Sequence, residues 1–300
     1  MRASYSFAML RSAACLALLL AVPACKRGGI ASASLGPESG ANTQAVVTAK
    51  SGKVQLLRAA DGTVAEAKVG DRLSSKDALR TEVGEADVAV EGVRVRLHES
   101  SRLELKQIGD QALRARVRGS VESEVDKTGK LDVEIENSDA TAHSDGGHFF
   151  VTGDGRGVVA VASVTGMVNV AGGGKSLALN EGEVTRMSRS SPAPSKPVAA
   201  LRRVLLSVQW PDQKETNKAT LPIEGRVDPG SRVFVQGQPV AVEESGTFRA
   251  EVPLRQGKQK IAVVTVDALG RRKEVEGVVL RDDSLPDAKV KKRLWQWRRR

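Results

Sequence analysis

Two thiols, three imidazoles and one glycine-rich lysine–serine step are the residues whose types and spacing could carry chemistry. The thiols, Cys15 and Cys25, both lie within the first 25 residues. From residue 26 onward nothing can bridge a disulfide, ligate zinc through cysteine pairs or attack as a thiolate. The imidazoles are His98, His143 and His148. His143 and His148, with Asp145 between them, have the composition of a metal cluster, yet five residues along a strand places them on opposite faces. A polar turn accounts for them, and no metal site is expected. The run Ala171-Gly172-Gly173-Gly174-Lys175-Ser176 ends like a phosphate loop. That loop's first glycine would fall at Asn169 and the flanks alternate as strands, so a β-turn is expected instead. No G-x-S-x-G elbow, zinc-protease motif or dinucleotide fingerprint occurs in the sequence, and no pair of carboxylates is placed across a definable cleft. The expectation is a non-enzyme, without catalytic residues or cofactor.

The ends carry more information. Residues 1–24 have the layout of an export signal, in which Arg2 and Arg11 precede an apolar run over 13–22. That run is about half the roughly 20 residues that span a bilayer, so it is expected to be cleaved, and no later segment is apolar enough to span. Leu20-Ala21-Val22-Pro23-Ala24-Cys25 resembles the lipobox of bacterial lipoproteins. The resemblance implies acylation of the Cys25 thiol and a membrane held by a lipid anchor. The alternative is ordinary cleavage after Ala24, because Val22 and Ala24 also satisfy the small-residue rule. Lys26 is not the aspartate that retains lipoproteins at the inner membrane. The resemblance therefore implies a cell-envelope protein, periplasmic or surface-exposed, at the outer rather than the inner membrane.

Net charge misleads until it is localised. The chain carries +10, but Arg2 and Arg11 leave with the signal and seven more cations sit in residues 289–300. The remainder is close to neutral, which argues against nucleic acid as a partner of the folded part. The tail combines Lys289, Lys291, Lys292, Arg293, Arg298, Arg299 and Arg300 with Trp295 and Trp297. Cations for headgroup phosphates and indoles for the boundary are the chemistry of an anionic surface. Anionic lipid, lipopolysaccharide or a cell-wall polymer is the expected contact, with a solvated tail as the bland alternative.

Between the ends, period-two alternation dominates, as in Val93-Arg94-Val95-Arg96-Leu97 and Leu131-Asp132-Val133-Glu134-Ile135. Such alternation means half-buried strands, and turn signals such as Asp61-Gly62, Glu91-Gly92 and Gly172-Gly173-Gly174 divide them. The organisation expected is a signal at 1–24, a lipidated tether at 25–43 and a β-rich domain at 44–188. A Pro/Ser linker follows at 189–202, then a β-sandwich at 203–281 and the basic tail at 282–300. Proline at 192, 194 and 197 would make the linker semi-stiff. Phe149, Phe150, Phe234 and Phe248 fall in strand patterns and are expected in the core, which leaves no broad aromatic platform for sugars.

The first domain resembles the FecR domain of bacterial sigma-factor regulators. Its landmarks are Val69-Gly70-Asp71-Arg72-Leu73, Lys76-Asp77-Ala78-Leu79-Arg80-Thr81 (lysine replacing the family's glycine), Glu91-Gly92, Glu99-Ser100-Ser101-Arg102-Leu103-Glu104-Leu105, His148-Phe149-Phe150-Val151, Val164-Thr165-Gly166-Met167-Val168 and Asn180-Glu181-Gly182-Glu183. The sigma-binding segment and membrane helix that precede this domain in the family's regulators are not found before residue 44. The second domain resembles the non-catalytic Ig-like domain of glucodextranase. It does so through Asp228-Pro229-Gly230 and the strand after it, Gly246-Thr247-Phe248, Leu254-Arg255-Gln256-Gly257 and Asp267-Ala268-Leu269-Gly270. Together the resemblances imply an all-β chain that acts as a structural or partner-binding module of the envelope, with an envelope protein as one expected partner; the alternative is a periplasmic sensor that passes a signal to a separate membrane protein.

Overall fold

The computed structural model describes residues 44–154, 157–211 and 215–284. The signal at 1–24, Cys25, the tether at 25–43 and the tail residues Lys289 to Arg300 lie outside the described residues. Every regular element described is a strand, and among the described residues no helix is long and apolar enough to cross a membrane. The described residues fall within one compact unit, Ala41–Arg300.

A fifteen-stranded sheet takes up the chain from Ala45 to Ala199. Its organiser is the strand Ala112–Val125. The first half pairs with Arg102–Gly109 on one edge and, in parallel, with Lys130–Ile135 on the other. The second half pairs with Val93–Leu97 and with Gly147–Gly153. Parallel register sets Ala112 beside Lys130. A straight strand would carry Val125 ~43 Å from Ala112, whereas the connection to residue 130 reaches at most ~18 Å. The strand must therefore bend, and it does so at Gly119, whose φ is 98°. A side chain there would also drive into Ser101. The sheet curls around one core in which inward positions such as Val117, Val121, Leu131 and Phe149 are almost completely buried, while the neighbours of Val117, Arg116 and Arg118, face solvent.

The turns follow the expected chemistry. Gly173 and Gly174, at φ 54° and 72°, form the two-residue loop of a hairpin, not a phosphate cradle. Asp77 is buried and accepts hydrogen bonds from the Ser74 and Ala59 amides and from Arg58. Burial pushes its carboxyl up, but these donors outweigh it and hold the group below the usual carboxylate range. Lys76 beside it has φ 74°, a conformation in which a Cβ is strained, and this is the physical reason a glycine suits the position.

The second module, Leu206 to Arg281, is a sandwich of a three-stranded and a five-stranded sheet. Its eight described strands slightly exceed the seven or so expected. Ile223, Phe248, Ile261 and Val263 fill its centre. The four phenylalanines named above are all buried, as their strand positions imply.

The Pro/Ser segment at 189–202 differs from expectation. It is not a free spacer: Val198 and Ala199 pair with Val184 and Glu183, and the Ser195 amide bonds to the Arg186 carbonyl. The backbone groups of this polar run find partners on the neighbouring strand, which ties it to the first sheet.

Replacing Lys76 with Gly should raise stability by roughly 1 kcal/mol by removing the left-handed strain of a side chain. Urea unfolding would read this as a higher midpoint at unchanged slope. A lower midpoint would show that the lysine side chain compensates for its backbone.

Candidate functional site

The two modules meet across a small apolar contact ringed by arginines. Phe150, Ala160, Ala162 and Val184 of the first sheet receive Ala268 and, partly buried, Leu269 of the second module. Two turns make this approach. In Asp228-Pro229-Gly230, the Ser231 amide bonds to the Asp228 carbonyl and Gly230 has φ 84°; a Cβ there would collide with Ala160. In the turn over 267–271, the Asp267 carboxylate accepts the Leu269 and Arg271 amides, and a Cβ on Gly270 would enter the Phe150 ring. These two steps were legible as marks of an Ig-like fold; their docking role was not.

Arginines lock the ring. Arg186 bonds to the Asp228 carboxylate and to the Pro229 carbonyl. Arg271 reaches the carbonyls of Leu201 at 2.5 Å and Arg202 at 3.2 Å while paired with Asp267. Arg232 is the most deeply committed. Its guanidinium donates to the carbonyls of Glu99 at 2.8 Å and Ser100 at 3.0 Å and to Ser101 Oγ at 3.3 Å. The same group lies over the Phe234 ring, 5.0 Å from its centroid. Burial pushes its pKa down to about 10, which still leaves it charged at neutral pH. The turn it grips is shaped for this: Ser100 has φ 50°, and Gly119 leaves room for Ser101.

Beside this lock lies a cleft of about 590 Å³. Residues 80–83, 100–102 and 118–119 form one wall, and 231–233 and 237–242 the other. None of these positions was singled out as a binding residue from the sequence. The signal was there only in part, because Arg80 and Ser100–Arg102 belong to runs read as turn landmarks.

A second polar cluster lies on the same sheet. His148 Nε2 contacts Glu122 at 2.8 Å, His98 Nδ1 contacts Glu85 at 2.9 Å, and both rings lie against Phe150. Ligand atoms of Glu122, Glu124 and His148 fall within 4.8 Å of one another, a spacing that could hold a metal ion. Arg96 and Arg94, each 3.6 Å from one of these carboxylates, already supply positive charge there. The sequence could not show this trio, since it arises from the register that sets His148 opposite Glu124. His143 and His148, weighed together in the sequence, are engaged separately. His143 bonds to Asp132 at 2.7 Å and contacts Asp145 at 3.2 Å. Burial lowers the affinity of His143 for its proton, but the two carboxylates outweigh burial and raise its pKa above 6.5.

Comparison with known proteins bears on the second module. Residues 205–282 match the family described as glucodextranase, domain B, so this module is Ig-like. No curated protein matches the chain. Among solved structures, a candidate anti-sigma factor from Parabacteroides distasonis ATCC 8503, determined at 1.65 Å and at 2.50 Å, aligns at 16% identity with TM-scores of 0.36 and 0.35. The alignments cover 41% and 40% of this chain and 59% and 57% of those chains. A polysaccharide lyase aligns at 13% identity with a TM-score of 0.21, over 80% of this chain and 40% of that one.

Two predictions follow from the geometry. Arg232→Met strips the Glu99 and Ser100 carbonyls of their donor and should cost on the order of 2–3 kcal/mol. Arg232→Lys should recover little, because an ammonium cannot reproduce the planar fork. Calorimetry should show the modules melting separately in both variants; one unaltered transition would contradict the lock. His143 has a raised folded-state pKa, so its contribution is fully present below 6.5 and is lost as pH rises through the raised value. With the side chain 38% exposed, solvent screening keeps this well under ~1 kcal/mol. His143→Gln should flatten the decline in stability between pH 6 and 8 in urea titrations.

Proposed function

We propose that this protein is a non-enzymatic lipoprotein of the bacterial cell envelope, held by acylation at Cys25, whose two β modules act as one rigid recognition unit. The observation that carries the reading is the junction. A partly buried arginine and two turns hold the modules around an open cleft, so the cleft walls keep a defined separation and a ligand meets a preorganised surface. The short apolar run and the lipobox-like step before Cys25 support export and anchoring. The cationic, Trp-containing tail would add a second contact with an anionic surface, at about 1 kcal/mol per basic residue before screening. Within this reading the Ig-like module shapes one wall of the cleft and performs no chemistry.

Cys25→Ser should move the protein from the membrane fraction of its host to the soluble fraction. Intact-mass measurement of the wild type should show an acylated amino terminus at residue 25. An unacylated terminus at Met1, with the protein in the cytosol, would refute the reading.

A further inference from the structure

Three arginines stand in one row across the first sheet. Arg80 faces Arg102 across one strand pair, and Arg102 faces Arg118 across the next. Residues directly opposite one another share a face, with Cβ atoms ~5 Å apart, so the row extends over about 10 Å. Like charges in opposed positions destabilise a sheet. Elsewhere the same sheet sets opposite charges together: Arg96 meets Asp87 and Glu122, Arg114 meets Asp132, and Arg116 meets Glu134. Among the described residues, no ion pair or hydrogen bond engages the side chains of Arg80, Arg102 or Arg118, and all three line the junction cleft. Of the acids lining that cleft, Glu82 is bonded to Lys53 at 2.8 Å and Asp154 accepts the Val158 amide at 2.9 Å. Across from the row, Ser231 Oγ is buried without a hydrogen-bond partner among the described residues, and the exposed Gln238 adds an amide.

We propose that the row Arg80, Arg102 and Arg118 binds a linear, carboxylate-bearing polysaccharide laid along the cleft. The inference rests on the cleft being the recognition surface. Guanidinium forks match carboxylates in two-point contacts. The row repeats at the strand spacing of ~5 Å, which is close to the length of one uronic acid unit in a chain. A cleft of this volume admits a short run of sugar rings. Hydroxyl groups along such a chain face the exposed Gln238 amide of the opposite wall. The cost of three adjacent cations in the free protein is offset when carboxylates settle between them.

The test is calorimetric titration of the whole protein with oligogalacturonate, with a neutral dextran oligomer of similar length and with oligothymidylate as comparisons. Oligogalacturonate should bind, dextran should not, and added salt should weaken the complex. Arg102→Gln should weaken binding about 10-fold, and the triple variant R80Q/R102Q/R118Q should abolish it. The triple variant should melt no lower than the wild type, because a like-charge row has been removed. The cationic tail is common to both proteins, so the difference between them reads the row. Gln238→Trp fills the cleft from the opposite wall and separates the two readings. If it blocks binding that the triple variant retains, the row is refuted while the cleft stands. If the triple variant loses binding that Gln238→Trp leaves intact, the row binds outside the cleft and the junction reading fails. Oligogalacturonate binding no tighter than dextran, or weaker than oligothymidylate, overturns the proposal.

Discussion

Removing a guanidinium from water costs several kcal/mol unless its donors are met and its charge is stabilised. Arg232 meets that condition only where it is, with carbonyls of the turn at Glu99 and Ser100 in front of it and the Phe234 ring along its flank. The carbonyls in turn can converge only because Ser100 takes a left-handed conformation and Gly119 leaves space for Ser101. A bend in the central strand of one module thus determines where a side chain of the other can be gripped. The angle between the modules, and with it the cleft, depends on that match.

The apolar contact at the junction is small, and polar groups decide its geometry. Phe150, Ala160 and Ala268 remove some surface from water, but they would permit sliding. Arg186 on the Asp228 turn and Arg271 on the 201–202 backbone do not, because each hydrogen bond has a direction as well as a distance. Tying the Pro/Ser segment to the first sheet shortens the free connection further. Such a joint suits recognition of an extended ligand, since little ordering remains to be done when it binds. Charge on the first sheet is organised in the same spirit. Opposed pairs neutralise several positions of its outer face, so the row of arginines that no ion pair or hydrogen bond engages among the described residues has a local positive field.

Much of the fold was legible along the chain. Alternation in Val93–Leu97 and Lys130–Ile135 marked strands, and the glycines at 172–174 and the aspartates at 71 and 77 marked turns. The left-handed backbone at Lys76, a conformation that favours glycine, was not legible from the residue itself. The candidate site was not legible. Arg80, Arg102 and Arg118 are separated by 22 and 16 residues and belong to three different strands. The docking turns looked like markers of a fold, and the segment at 189–202 looked like a spacer because its composition says nothing of which strand edge lies beside it.

Local sequence alone determined that this chain is built of strands, which residues of each strand face inward, and where the chain turns, because alternation and turn chemistry act over a few residues. Tertiary structure alone decided which strands became neighbours, how the two modules meet and which charges stand together. Period two tells a residue which side of a sheet it occupies but never which residue lies opposite. That information resides in register, and register is settled only when the whole core closes.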